Sequence, residues 1–193
     1  RLGQFHRDND NMTVKVVTPQ EIYNEFSSGK QDISAIRDYM RMYYERAASG
    51  SDLPNHLLLF GDCSYDYKDI LTTNTNLVPT FQSGASFSLY QSFCSDDYFG
   101  NLDPDEGEFI FADATDLSIG RLPVKTNLEA AQVVDKILAY HNESSLGDWT
   151  QKILFVADDV DVSWETVLMT DADGLANRLD QDYPDLNIEK IYT

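Results

Sequence analysis

Basic residues are scarce in this sequence. Lys and Arg number 14 against 33 Asp and Glu, leaving a formal net charge of −19 over 193 residues. A nucleic-acid footprint needs clustered Lys and Arg to neutralise phosphates, and no such cluster is present, so nucleic-acid binding is excluded. Attraction to an anionic membrane surface is disfavoured for the same reason. Cysteine is also rare. Cys63 and Cys94 are the only two, and that count leaves a pair and two free thiols equally open. No apolar run approaches the ~20 residues of a membrane-spanning helix, and no signal peptide opens the chain. Glycine-rich phosphate cradles are missing: there is no GxGxxG after a strand, no GxxxxGK[ST], and no GxSxG elbow. Histidine is limited to His6, His56 and His141, so a cysteine nucleophile has few bases to choose from. His56 opens the apolar run that Cys63 follows. At about 3.3 Å per residue the two stand roughly 15–20 Å apart, so Cys63 reads as a packed thiol.

What is present suits an α/β protein. Hydrophobic residues make up 42% of the chain, and a chain of this length buries about 70% of its unfolded surface without a disulfide staple. Leu2 to Arg7 reads as the tail of a helix, so the sequence reads as a piece of a longer chain. Met12–Val17 alternates like a strand. Pro19 opens a helix through Phe26, which Ser27-Ser28-Gly29 breaks. Asp32 caps a helix whose face is Ile33, Ile36, Met40, Tyr43 and Ala47, ending near Gly50. His56–Phe60 is a fully buried strand of a parallel sheet. Gly61–Asp116 is polar and aperiodic, with short strands near Val78–Gln82 and near Tyr98. Leu117–Gly120 is a strand, and Asn127 caps a helix carrying Leu128, Ala131, Val134, Leu138 and His141. Lys152–Ala157 is a strand. A helix with Leu168, Ala172, Leu175, Leu179 and Tyr183 on one face follows, and Asn187–Tyr192 closes the chain as a strand. The alternation predicts a mostly parallel sheet with helices on both faces and ligand sites at the carboxyl ends of its strands.

Two acidic groups are candidate sites. Asp96, Asp97, Asp103, Asp105, Glu106 and Glu108 form the best metal candidate, because calcium takes six to eight oxygen ligands from flexible acidic loops. Asn101, Asp103 and Asp105 match the start of an EF-hand loop. Gly107 then falls one place late and Ala112 holds the closing Glu position, so a calcium site here is of another kind. Asp158, Asp159 and Asp161 follow a strand's carboxyl end, where they suit a cation or the wall of a cleft for positive substrates. A phosphoryl or Mg²⁺ site would need Asp62 as a third acid and a Lys at another strand end, and no strand ends in a suitable Lys.

The stretch Asp116 to Val124 (DLSIGRLPV), with Glu129-Ala130 and Lys136 to Tyr140, resembles gingipain-family cysteine peptidases. Leu57 to Asp66 (LLLFGDCSYD) and Ser95 to Gly100 (SDDYFG) resemble further segments of that family. Ile22 to Gly29, Asp32 and Ala35 to Arg37 are similar to its branch that serves the type IX secretion system. The resemblance implies a caspase-like fold of two halves and peptide-bond cleavage by a His–Cys dyad. It implies no required cofactor, with calcium as a structural ion. For that branch it implies a protein substrate (the C-terminal sorting signal of secreted cargo), other secretion-system proteins as partners, and an outer-membrane, cell-surface location. It places the loop from Asp158 beside the substrate cleft.

By the same resemblance residues 1–147 form a first subdomain and 148–193 the start of a second. The catalytic His, in a Gly-His-Gly-like turn, and the Cys would both follow Thr193. No catalytic residue is assigned within the chain, and residues 1–193 alone are expected to be inactive. The rivals are a non-catalytic calcium-binding surface scaffold and the acidic-pocket phosphoryl or Mg²⁺ domain.

Overall fold

Parallel strand pairs with helices packed on them organise both units, Arg1–Val134 and Asp135–Thr193, of the computed structural model. The model describes residues 1–85, 87–107 and 113–193. The chain is thus of mixed α/β class, as the alternation of elements requires.

In the first unit α1 (Leu2–Asn9) precedes α2 (Pro19–Phe26). The latter starts where its sequence dictates. The Thr18 hydroxyl accepts from the Glu21 N–H, the Glu21 carboxylate accepts from the Thr18 N–H at 2.7 Å, and Pro19 supplies the first-turn φ. It stops at Ser28 and Gly29, both with positive φ. Met12–Val17 joins no ladder among the described residues, and its alternation fails at Val16, which is 74% exposed. Instead Val14 and Val16 lie against Gly3, and the Arg7 guanidinium donates to the Val14 carbonyl.

Helix α3 (Ile33–Arg46) is capped by the Asp32 carboxylate, which accepts from the Ser34 N–H at 2.8 Å. Its buried stripe is Ala35, Ile36 and Met40, and Tyr43 is exposed. The helix ends four residues before Gly50, which opens a separate 3₁₀ turn.

Strand β1 (His56–Phe60) pairs in parallel with β4 (Ser118–Leu122), Leu58 opposite Gly120. Leu57 and Leu59 face α2 and α3, in a core with Ile22, Tyr23, Ile36, Val78, Tyr98 and Phe99. Leu58 and Phe60 point the other way and remain 46% and 40% exposed, so β1 is covered on one face rather than fully buried. The long polar segment folds back through a two-residue antiparallel ladder, β2 (Phe81–Gln82) with β3 (Cys94–Ser95). The strand expected near Tyr98 is a 3₁₀ turn, Asp97–Gly100. It buries Tyr98 and Phe99 and stacks Tyr98 on Phe81.

Helix α4 (Asn127–Tyr140) is capped by Thr126 rather than Asn127: the Thr126 hydroxyl accepts from the Glu129 N–H, and the Glu129 carboxylate accepts from the Lys125 N–H. In the second unit β5 (Lys152–Ala157) pairs in parallel with β6 (Asn187–Tyr192), and α5 (Thr166–Asp182) packs on both. The packed stripe of α5 centres on buried Ala176, flanked by half-buried Met169, Ala172 and Leu179. Leu168 and Leu175 are exposed, so the apolar face is rotated from the expected one. Both stripes repeat every three to four residues, which is why periodicity alone could not choose between them.

Candidate functional site

The carboxyl ends of β1 and β4 form a turn held largely by backbone. Gly61 and Asp62 donate to the Leu122 and Val124 carbonyls at 3.0 and 2.9 Å. Gly61 has positive φ, and a Cβ there would stand 2.8 Å from Val78 Cγ2. Asp62 accepts from the Thr75 hydroxyl at 2.5 Å and lies 3.6 Å from Lys125 Nζ. A Lys therefore does reach the acid at this strand end: Lys125 comes three residues after β4, outside the strand itself. The Thr75 hydrogen bond, helped by the Lys125 charge, holds the Asp62 carboxyl below its ordinary range.

The unfolded chain takes up that proton first, near pH 4. The Asp62 contribution is therefore whole at neutral pH and disappears as pH falls from about 4 through the lower folded value. Urea unfolding as a function of pH is expected to show stability dropping across that window. Asp62→Asn should flatten the drop and cost on the order of 1 kcal/mol at pH 7. A pH profile unchanged by the substitution would rule the assignment out.

Arg121 occupies the centre of this region. Its Nε and Nη2 donate to the two Asp96 carboxylate oxygens, each at 2.7 Å. Its remaining N–H groups donate to the Gly61, Val78 and Pro79 carbonyls at 2.9, 2.7 and 3.3 Å. All five guanidinium donors are thereby used. Burial opposes its charge, yet the Asp96 bonds outweigh burial and raise the guanidinium further. Asp96 is thus spent on an internal cation. Nearby, buried Asp66 organises the following turn by accepting from the Ile70 and Leu71 N–H groups at 3.0 and 2.6 Å.

A second arginine occupies the acidic loop. Arg37 of α3 donates to the Asn101, Asp103 and Glu106 carbonyls at 2.6, 3.3 and 2.7 Å. Gly107, with φ +92°, passes so close that a Cβ would stand 2.9 Å from Arg37 Cζ. The Asp103 N–H donates to the Glu106 carboxylate, while Asp116 accepts from the Leu102 N–H. Asp97 opens the 3₁₀ turn and Asp105 is exposed. Glu108 lies outside the described residues. Among the described residues no three His, Cys, Asp or Glu side chains converge to hold a metal ion. The carbonyls of Asn101, Asp103 and Glu106 thus surround a guanidinium.

An open, polar cleft of about 780 Å³ in this unit is lined by residues including His56, Asp97, Asp116 and Ser118. It lies at the amino ends of β1 and β4, the edge opposite to where α/β sheets bind ligands. His56 and Cys63 sit at opposite ends of β1, as their spacing predicts.

In the second unit the loop after β5 carries Asp158, Asp159 and Asp161, all exposed. The Thr193 N–H donates to the Ala157 carbonyl at 3.2 Å, and the Asp159 N–H donates to the Thr193 carbonyl at 2.9 Å. The three acids thus stand beside the end of β6, at the carboxyl edge of the pair. Glu165 fixes the loop by accepting from the Asp161 and Val162 N–H groups at 3.1 and 3.0 Å. On α5, Asp173 accepts from Lys190 at 2.7 Å and from the Tyr192 hydroxyl at 2.6 Å. The Lys190 bond holds Asp173 below its ordinary range, and the Asp173 bond pushes the Tyr192 hydroxyl up to about 12.

Sequence reasoning passed over Arg121, Arg37 and Asp66. A signal existed for one of them: an Arg inside the otherwise uncharged SIGRL run demands a buried partner.

The family model for peptidase family C25 matches residues 1–193. Among solved structures, the crystal structure of dimeric latent PorU from Porphyromonas gingivalis is similar, with a TM-score of 0.64 and 32% sequence identity. That match covers 77% of this chain and 15% of the PorU chain. Among curated proteins, none matches.

Proposed function

The chain belongs to peptidase family C25, the gingipain family, and from that premise we propose that it forms part of a PorU-type cysteine endopeptidase domain. Its substrate on this reading is the C-terminal sorting signal of secreted cargo, removed at the outer-membrane cell surface in concert with other secretion-system proteins. The observation that carries the reading is the match over the full 193 residues together with the likeness to PorU.

Asp158, Asp159 and Asp161 border the substrate cleft in this reading. Their placement at the carboxyl edge of β5 and β6 supports that role, since substrates of α/β folds bind at that edge. Their charge favours cargo with Lys or Arg near the cleaved bond.

The test uses the full-length gene product and a cargo protein bearing the sorting signal. Removal of the signal, abolished by a thiol-alkylating reagent, is the expected result. With Asp158, Asp159 and Asp161 all changed to Asn, KM for cargo with basic flanking residues should rise about tenfold, ~1.4 kcal/mol, with kcat little changed. Cleavage of other peptides but not of the sorting signal would refute the substrate assignment. An unchanged KM would remove the acidic loop from the cleft.

A further inference from the structure

Cys63 and Cys94 are free thiols, the first half-buried and the second exposed. Their backbones are pinned toward one another by two independent sets of bonds. Two residues before Cys63, the Gly61 carbonyl accepts from Arg121 at 2.9 Å; two residues after Cys94, the Asp96 carboxylate accepts from the same guanidinium at 2.7 Å. One residue after Cys63, the Ser64 carbonyl accepts from the Gln82 side-chain amide at 3.3 Å. Gln82 is in turn the direct cross-strand partner of Cys94 in the β2–β3 ladder.

Residues directly opposite in an antiparallel pair stand about 4.5–5.5 Å apart at Cα and send their side chains to the same face. The Gln82 side chain reaches the Cys63-Ser64 turn, so the Cys94 side chain leaves its strand on the face toward that turn. The surroundings of the Cys63 thiol agree: burial pushes it up, and Asp96, Asp62 and Cys94 itself add to that push against the Arg121 charge.

We propose that Cys63 and Cys94 are joined as an intramolecular disulfide when the protein stands in an oxidising compartment, closing residues 64–93 into a covalent loop. The oxidant is a small-molecule disulfide such as oxidised glutathione. Exposed Cys94 gives its proton to solvent, and its thiolate attacks one sulfur of that disulfide. The small S–S bond breaks, and one glutathione leaves as a thiolate that takes up a proton. Cys63 then loses its proton and attacks Cys94 Sγ in the mixed disulfide, expelling the second glutathione. Two cysteine thiols are oxidised while one small disulfide is reduced to two thiols. The order follows from exposure and from the raised Cys63 thiol, which makes it the poorer first nucleophile. The bridge would anchor the base of a loop that exposes Phe87, Leu89 and Tyr90, in addition to the Arg121 and Gln82 bonds.

The experiment equilibrates the protein with oxidised glutathione, quenches in acid and measures intact mass, free thiols and Tm. The expected product is lighter by two hydrogens, carries no glutathione and has no reactive thiol. Its Tm is higher by roughly 5–10 °C, and dithiothreitol reverses the gain. Cys63→Ser should trap one glutathione on Cys94. Cys94→Ala, a substitution at an exposed site, should abolish both the mass loss and the Tm gain. Wild-type protein that keeps glutathione on Cys94 beside a reduced Cys63, or that forms a covalent dimer through Cys94, would overturn the proposal. None of these readouts depends on peptidase activity, so the bridge and the proposed function stand or fall separately.

Discussion

Replacing Arg121 with Ala is expected to cost about 3–5 kcal/mol of folding stability, because it leaves the Asp96 carboxylate and several carbonyls without their shared donor. The guanidinium side chain is only 10% exposed and Asp96 22%, so water cannot readily replace the lost bonds. For a chain of this size each kcal/mol shifts Tm by about 2–4 °C, so a drop of roughly 10 °C follows. Arg121→Lys should recover little, since an ammonium cannot make the two parallel bonds to Asp96 while also reaching the Gly61, Val78 and Pro79 carbonyls. Asp96→Asn keeps the shape and removes the charge, and an intermediate loss is expected. The double variant Arg121→Met with Asp96→Leu discriminates further: it should be less destabilised than the sum of the two singles, because no charge is left stranded. Urea unfolding followed by circular dichroism measures all of these. A loss under about 1 kcal/mol for Arg121→Ala would mean that solvent reaches the site.

Elements whose signals are local were legible in the sequence. The bounds of α2 follow from Thr18, Pro19 and Glu21 at one end and Gly29 at the other. Strands β1, β5 and β6 follow from short apolar or alternating runs. Family membership was also legible, because it rests on short segments spread along nearly the whole chain. What was not legible depends on partners far away in sequence. Whether Leu58 or Leu59 faces the core is set by what covers β1, and Leu168 or Ala176 by what lies beneath α5. Met12–Val17 has the pattern of a strand, but a ladder needs a neighbour that no local pattern reports. The acidic loop depends on such a distant partner. Its carboxylates suggested an external cation, yet its carbonyls receive a cation from α3, more than sixty residues earlier. Composition reports the excess of oxygen acceptors in this loop but not the distant arginine that its carbonyls receive.

That guanidinium sets the second large effect. Arg37→Met keeps a long apolar stem against its neighbours and removes the donors to Asn101, Asp103 and Glu106, along with the charge over the Tyr98 ring at 5.5 Å. Hydrogen bonds from a charged donor contribute about 1.5–3 kcal/mol, and the loop's partial exposure lets water recover some of the loss. A destabilisation of about 2–3 kcal/mol is expected, with faster amide exchange confined to residues 101–107. Gly107→Ala probes the same contact from the other side. It forces a side chain into φ +92° and against Arg37 Cζ at 2.9 Å, and should cost at least 1 kcal/mol. If the two changes act on one contact, their effects are not additive: with Arg37 already Met, Gly107→Ala should retain only its backbone strain. Additive effects, or an Arg37→Met loss below about 0.5 kcal/mol, would show that the loop holds its shape without the guanidinium.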